Sequence, residues 1–336
     1  MSFSLAIVLG DPRHPDRTKP GQRFNPEDID ARRRMLDALA SVDGYALTVL
    51  DDHRRLVEAL RGIRTDLIVN FCDTGFSNDP FLELHVAALF DVFGLPYTGA
   101  PPACMAVCFD KALVRVIAKE LGIAVPVERY FPSSMAAIGQ INAFPVLIKP
   151  NQADGSLGIT KESVAHDRDA ADGYLRQLAQ LLPDRAVLVQ EYLSGQEYGI
   201  GLVGNPGADL HALPAMQVDY SRLPEGYAPI LGYESKTIPG SPYWTDIGYR
   251  AASLDVVTRE RLESWSRVLF ERLGCRDYAR FDWRTDRQGE VKLLEVNPNP
   301  AWAWDGKLAM MAGFAGWTYA QMLERIVTSS RKRLGV

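Results

Sequence analysis

The sequence predicts a protein of mixed α/β and α+β class, with room in its 336 residues for two or three domains. Short apolar strands alternate with amphipathic helices through the first hundred residues, the pattern of a small parallel sheet covered by helices. Near the other end, residues 278–297 read as a hairpin with charged and amide side chains gathered on one face. Hydrophobic residues make up 47% of the chain and charged residues 24%, so each domain can bury a core and remain soluble.

Composition excludes several classes. The net charge of −5 leaves no global basic field to select nucleic acid or an anionic membrane. The apolar run 3–9 is far too short to span a bilayer, and it lacks the basic flank and cleavage site of a signal peptide. Cys72, Cys104, Cys108 and Cys275 show neither the density of a disulfide scaffold nor paired metal spacing. They read as reduced, buried residues of a cytoplasmic protein.

The elements come in a clear order. A strand at 4–9 ends at Gly10-Asp11, and a basic, proline-rich loop leads to a helix at 26–40 capped near Asn25. GxGxxG is absent, so this start does not make a dinucleotide fingerprint. Strand 45–50, helix 54–61 and strand 66–71 complete the unit. Asp73 and Thr74, just beyond the last strand, lie where parallel sheets present ligand-binding ends, or else cap the helix at 80–93. Helix 111–121 and strand 127–131 precede 144–150, a buried strand carrying Lys149, which needs an anionic partner there. The glycine-bearing loop 151–159 comes next, with backbone N–H groups that can wrap phosphate. Helix 166–182, strand 187–193, strands 198–203 and 212–218, a long loop at 220–250 and an amphipathic helix at 254–273 lead to the hairpin. A helix at 318–331 closes the chain.

In the hairpin, 278–284 and 291–297 flank turn residues at 285–289. With an even loop, Arg280 and Asp282 share a face with Glu295 and Asn297. Oxygen donors of this kind suit a hard divalent cation, with the arginine free for an anion; a solvated amphipathic face is the plainer alternative. Asn297-Pro-Asn-Pro300 ends the strand abruptly and fixes an extended exit.

Arg280-Phe-Asp282 with Leu294-Glu-Val-Asn-Pro-Asn-Pro300 resembles the metal-binding signature of the ATP-grasp ligases, in the branch of D-alanine–D-alanine ligase. More motifs fall in order: Pro96-Tyr-Thr-Gly99, Asp110-Lys111, Lys149-Pro150 before Gly155-Ser156 and Gly158, Glu191 through Gly195 to Glu197, and 232–237. The resemblance implies a three-domain ATP-grasp architecture: an N-terminal domain (1–108), a central subdomain (109–190) and a C-terminal subdomain (191–336), with ATP between the last two. It implies ligation of a carboxylate to an amine through an acyl phosphate, with release of ADP and phosphate. Lys111, Lys149, Gly155, Ser156 and Gly158 are then expected on the phosphates. Glu191, Tyr192 and Leu193 are expected at the adenine edge, and Glu197 at the ribose. Lys236 is expected to close over the phosphates, Arg280 to face the reacting oxygens, and Asp282, Glu295 and Asn297 to hold Mg2+ or Mn2+.

The chain departs from the family where amino acids are recognised. Gly10-Asp-Pro-Arg-His14 and Cys72-Asp-Thr-Gly75 replace the family's Ser-x-Glu and His-Gly segments, and Ala301-Trp-Ala-Trp-Asp-Gly-Lys307 replaces a serine-bearing loop. These departures predict a product other than D-alanyl-D-alanine. Asp73, Thr74, Asn299, Ala301, Trp302, Trp304, Asp305 and Lys307 become candidate substrate contacts, with the basic loop 13–23 as a lid. In an extended segment Trp302 and Trp304 share a face; alternatively both plug the core. An ATP-grasp kinase and a non-catalytic ATP-binding protein are the other readings. The expected partners are a small-molecule carboxylate and amine, with neither nucleic acid nor membrane, and a homodimer is compatible with the sequence.

Overall fold

The computed structural model describes residues 2–16, 19–153 and 155–336. Arg17 and Thr18 of the basic loop and Asp154 of the glycine-bearing loop lie outside the described residues, so the lid expected of 13–23 is not described as a whole.

Three sheets organise the chain. In the first, β1 (Phe3–Val8) lies between β2 (Tyr45–Leu50) and β3 (Leu67–Asn70), all parallel. Residues Leu5 to Val8 are fully buried, as a strand covered on both faces requires. Helix Pro26–Ala40 begins where expected, at Asn25, whose side chain accepts from the Asp28 N–H while Asp28 reaches back in a reciprocal cap. The second sheet is antiparallel, in the order β4 (Glu128–Phe131), β7 (Val187–Glu191), β5 (Val146–Pro150), β6 (Val164–Ala165). Helix Arg168–Leu181 covers it with Ala171, Tyr174, Leu175 and Leu178.

The third sheet runs β11 (Gly248–Ala251), β10 (Met216–Asp219), β8 (Glu197–Val203), β12 (Tyr278–Thr285), β13 (Val291–Asn297), with the short β9 (His211–Ala212) paired to β8. Ala279, Phe281 and Trp283 of β12 pack with Leu262, Leu269 and Phe270 of helix Val256–Leu273. On the other face, helix Lys307–Phe314 lies so close to β8 that a Cβ on Gly201 would sit 2.8 Å from Leu308 Cδ1. Helices Pro102–Phe109 and Lys111–Glu120 join first and third sheets: Cys104, Met105, Val114 and Ala118 share one core with Val8, Ile68, Phe281 and Val296.

Buried Asp277 ties the start of β12 to the rest of the molecule. Its carboxylate accepts from the Gly99 N–H (2.8 Å), Asn205 Nδ2 (2.8 Å) and Arg333 Nη2 (2.7 Å). No helix among the described residues is long and apolar enough to cross a membrane.

Candidate active site

The hairpin register explains how the site forms. Residues 286–290 make an odd connection of five, so the even loop assumed from sequence is not the reason the polar groups converge. Arg284 faces Lys292 and Trp283 faces Leu293, but Asp282 faces Glu295 and Arg280 faces Asn297. The irregularity between the two pairs leaves Leu294 as an extra residue, a β-bulge that shifts the far half of β13 by one. That shift sets Glu295 and Asn297 beside Arg280 and Asp282. Arg280 grips Asp282 with two N–H groups, Nε to Oδ1 at 2.9 Å and Nη2 to Oδ2 at 3.0 Å, and its Nη2 lies 4.0 Å from Glu295 Oε1. Burial works against the Asp282 carboxylate, yet Arg280, Lys307 and Lys236 outweigh it and hold its pKa at about 2.

Lysines arrive from other elements. Lys149 leaves β5 in a buried position, and burial draws its pKa down. Lys111 opens its helix after the Asp110 cap; its Nζ donates to the Ala153 carbonyl (2.6 Å) and lies 3.9 Å from Glu295. Buried Asn151 fastens that helix to the end of β5 by accepting from the Ala112 N–H at 2.9 Å. Lys236 comes from the short helix Glu234–Thr237. Lys236 is exposed to solvent, and the surrounding protein removes part of its ammonium's hydration. That desolvation, with Lys307 and Arg280 nearby, lowers its pKa to about 8.

These groups line one cavity of about 970 Å3, open to solvent. Among the described residues, six cations face it (Lys111, Lys149, Lys236, Arg280, Arg284 and Lys307) against three carboxylates, Glu197, Asp282 and Glu295. Leu147, Ile159, Leu193 and Ile230 supply an apolar wall. The sequence reading missed Arg284, which lines the cavity, and Tyr220, which holds a carboxylate that does. Glu197 accepts from Tyr220 Oη (2.6 Å) and from Arg284 Nη1 (3.4 Å). Arg284 could have been found: it continues the even-numbered face of β12 that carries Arg280 and Asp282. Arg284 Nη2, Tyr192 Oη and Gln190 Oε1 are buried at this cavity with no hydrogen-bond partner among the described residues. Buried polar atoms of this kind need a partner, and a polar ligand supplies one.

Gly155 and Ser156 also line the cavity. Ser156 Oγ donates to the Leu231 carbonyl (3.0 Å) and the Tyr233 N–H donates to the Ile159 carbonyl (2.6 Å), so the glycine-bearing loop and the segment before Lys236 are already joined.

Other candidates stand elsewhere. Gly158 turns the loop with φ +70° beneath the wall, where a Cβ would meet Pro150 and Leu178. The Glu191 side chain binds the Val127 N–H (2.8 Å) and Lys292 (2.7 Å), tying β4 to β13 away from the cavity. Asp73 and Thr74 lie beyond β3, outside the cavity wall; burial pushes the Asp73 carboxyl up to about 6, and Thr74 Oγ1 meets Asn78 at 3.1 Å. Asn299 is buried between Tyr278 Oη (2.7 Å) and Glu83 (2.6 Å). The segment turns at 304–306, where the Gly306 N–H donates to the Ala303 carbonyl at 2.9 Å, and the two tryptophans have different surroundings. Trp302 is core: its ring stacks on Phe71 at 5.7 Å and its Nε1 donates to the Phe71 carbonyl. Trp304 is exposed beneath the Arg34 guanidinium, 4.4 Å from its ring centre, and Ala301 and Asp305 are exposed as well. Only Lys307 of this group lines the cavity. A smaller adjoining cavity of about 370 Å3, walled by Glu83, Met105, Cys108 and Phe109, shares Lys111, Glu295 and Asn297 with the first.

Residues 127–328, more than half of the chain, match the family model described as D-ala D-ala ligase C-terminus. The chain belongs to the D-Ala–D-Ala ligase family. It is therefore an ADP-forming ATP-grasp ligase. The ligase is 29% identical over 248 residues to the Vancomycin B-type resistance protein VanB of Enterococcus faecalis, covering 74% of this chain and 69% of that one. It is 27% identical over 313 residues to a putative D-alanine–D-lactate ligase of Streptomyces coelicolor, covering 92% and 82%. Its fold matches D-alanine–D-alanine ligase from Bacillus anthracis complexed with ATP, with a TM-score of 0.71, 18% identity and 98% of both chains covered. The VanG D-Ala:D-Ser ligase from Enterococcus faecalis matches with the same TM-score, 17% identity, and 98% and 100% covered.

Proposed function

We propose that this ligase activates a small carboxylate as an acyl phosphate with ATP, couples it to an amine, and makes a product other than D-alanyl-D-alanine. The observation that carries the first half is the cavity where, among the described residues, six cations stand against three carboxylates, a surplus that suits a polyanion. Lys111, Lys149 and the backbone at Gly155 and Ser156 would receive phosphate oxygens. The apolar wall with Tyr192 and Leu193 would take the flat base, and Glu197, held by Tyr220 and Arg284, the ribose hydroxyls. Asp282, Glu295 and Asn297 present hard oxygen donors at adjacent positions of two paired strands, and Asp282 is ionised, so they fit Mg2+ or Mn2+. When bound, such an ion neutralises phosphate charge. Arg280 would then orient the transferring group, and Lys236 would close the mouth and exclude water. The relatives named above are ligases, which favours ligation over a kinase reading.

The second half rests on the amino-acid side. After β1, the Asp11 carboxylate is engaged by the Arg13 N–H (2.9 Å), Arg13 Nε (2.7 Å) and the His53 N–H (2.9 Å), and so is committed internally. The three sheets, within 3–70, 128–191 and 197–297, go with a three-unit division, but helix Lys111–Glu120 packs with the first and third sheets rather than the second; small-molecule partners in the cytoplasm go with this reading. Purified protein with ATP and Mg2+ is to be offered D-alanine alone, then D-alanine with D-lactate, D-serine and larger amines, with products identified by mass. D-Alanyl-D-alanine as the main product overturns the selectivity half. Absence of any ligated product across the panel overturns the whole.

A further inference from the structure

Three of the four cysteines, scattered in sequence, meet in space. Cys104 and Cys108 lie one turn apart on helix Pro102–Phe109 and so project from the same face. Cys275 joins them because Gly274, in the left-handed conformation at φ +74°, ends helix Val256–Leu273 and folds the chain back, with the Cys275 N–H donating to the Phe270 carbonyl at 2.9 Å. Cys104 Sγ lies 3.9 Å from Cys108 Sγ and 3.7 Å from Cys275 Sγ, and all three sulfurs lie within 4.8 Å of one another. All three are buried. A point equidistant from sulfurs so spaced is roughly 2.2 to 2.5 Å from each, against a zinc–thiolate bond of about 2.3 Å.

We propose that Cys104, Cys108 and Cys275 form a three-sulfur site for a soft monovalent cation of the copper(I) class. Thiolates select soft ions, and structural zinc is almost always four-coordinate, whereas the described residues offer three ligands here. Two further observations point the same way. Cys108 and Met105 line the adjoining cavity beside Glu295 and Asn297, giving an entry path with sulfur on its wall. Arg276, next in sequence to Cys275, sets its positive charge near Cys104, and its Nη2 is buried without a hydrogen-bond partner among the described residues. That charge offsets part of the negative charge a thiolate–metal centre carries. On binding, three S–H bonds release their protons to solvent as three S–metal bonds form, and no electron is transferred. The site would join helix Pro102–Phe109, whose end leads to Lys111, to the strand that carries Arg280.

The test is anaerobic titration of the reduced full-length protein with Cu(I) held by the chromophoric chelator bicinchoninate. One equivalent should be withdrawn from the chelator. Cys104→Ala, Cys108→Ala and Cys275→Ala should each weaken the binding at least about tenfold, while Cys72→Ala leaves it unchanged. X-ray absorption of the wild-type copper complex, which does not depend on any variant folding, should show three sulfurs at about 2.2 to 2.3 Å. No copper withdrawn, nitrogen or oxygen in the first coordination sphere, or equal loss in Cys72→Ala overturns the proposal.

Discussion

Burial pushes the Asp282 carboxyl toward its neutral form, yet Arg280, Lys307 and Lys236 keep it ionised at a pKa of about 2. An ionised carboxylate with Glu295 and Asn297 beside it is the electrostatic centre of the proposed metal site. Glu295→Gln should therefore lower turnover by at least about 10²-fold while leaving the melting temperature in place; steady-state rates and a thermal melt check both, and near-normal turnover would sink the metal assignment. Lys236 carries a pH prediction. Free, it is half protonated near pH 8. A bound triphosphate favours the ammonium and raises that pKa, so binding of a non-hydrolysable ATP analogue at pH 8 takes up protons. At pH 6 Lys236 is already charged and its share of the uptake vanishes. Calorimetry in buffers of different ionisation enthalpy measures this, and Lys236→Gln should remove the Lys236 share; identical uptake in both proteins places this lysine away from the phosphates. At this scale the sequence was informative where types and order carry chemistry, as at Lys149 before its glycine-bearing loop. Tyr220 was not legible, because its contact with Glu197 depends on how the long loop folds back.

Segments show where sequence reasoning stops. The hairpin was legible as two strands, but its register depends on a one-residue bulge at Leu294 that alternation alone does not reveal. The tryptophan segment is a plainer case. Two prolines fix the exit from β13, but distant partners set the path of the chain beyond them: the Phe71 carbonyl for the Trp302 indole, and Tyr319 Oη for the Trp302 carbonyl at 2.7 Å. Local pattern holds no record of them. Trp302→Ala should cost about 3 to 5 kcal/mol of stability, as loss of a large buried side chain does. Trp304→Ala forfeits one exposed stacking contact with Arg34, worth about 0.5 to 1 kcal/mol. Denaturant unfolding of the two variants measures the difference, and equal losses would contradict these placements. The loop bearing Ser156 and the segment 228–237 meet through few hydrogen bonds across the cavity mouth. Hydrogen exchange there should slow when the ATP analogue binds. Unchanged exchange would count against a closing lid.

Across the molecule, the parallel first sheet was legible because strands and helices alternate with short connections, whereas the order of the six-stranded third sheet depends on pairings far apart in sequence. Asp277 shows how the parts are held in register: it joins Gly99, Asn205 and the Arg333 guanidinium across three regions of the chain. Asp277→Ala leaves that guanidinium without its carboxylate and should destabilise by about 3 to 5 kcal/mol, measured by denaturant unfolding; a loss below about 1 kcal/mol would show that the network is peripheral. In the proposed reaction, the site assembled by this frame passes a phosphoryl group to a carboxylate before the amine attacks. The most direct test labels the substrate carboxylate with 18O and traces the oxygen through a complete reaction with ATP, Mg2+ and the amine. The account predicts one labelled oxygen in each phosphate released and one phosphate for each ligated product. Unlabelled phosphate accompanying the product, or a stable phosphorylated compound in its place, would contradict it.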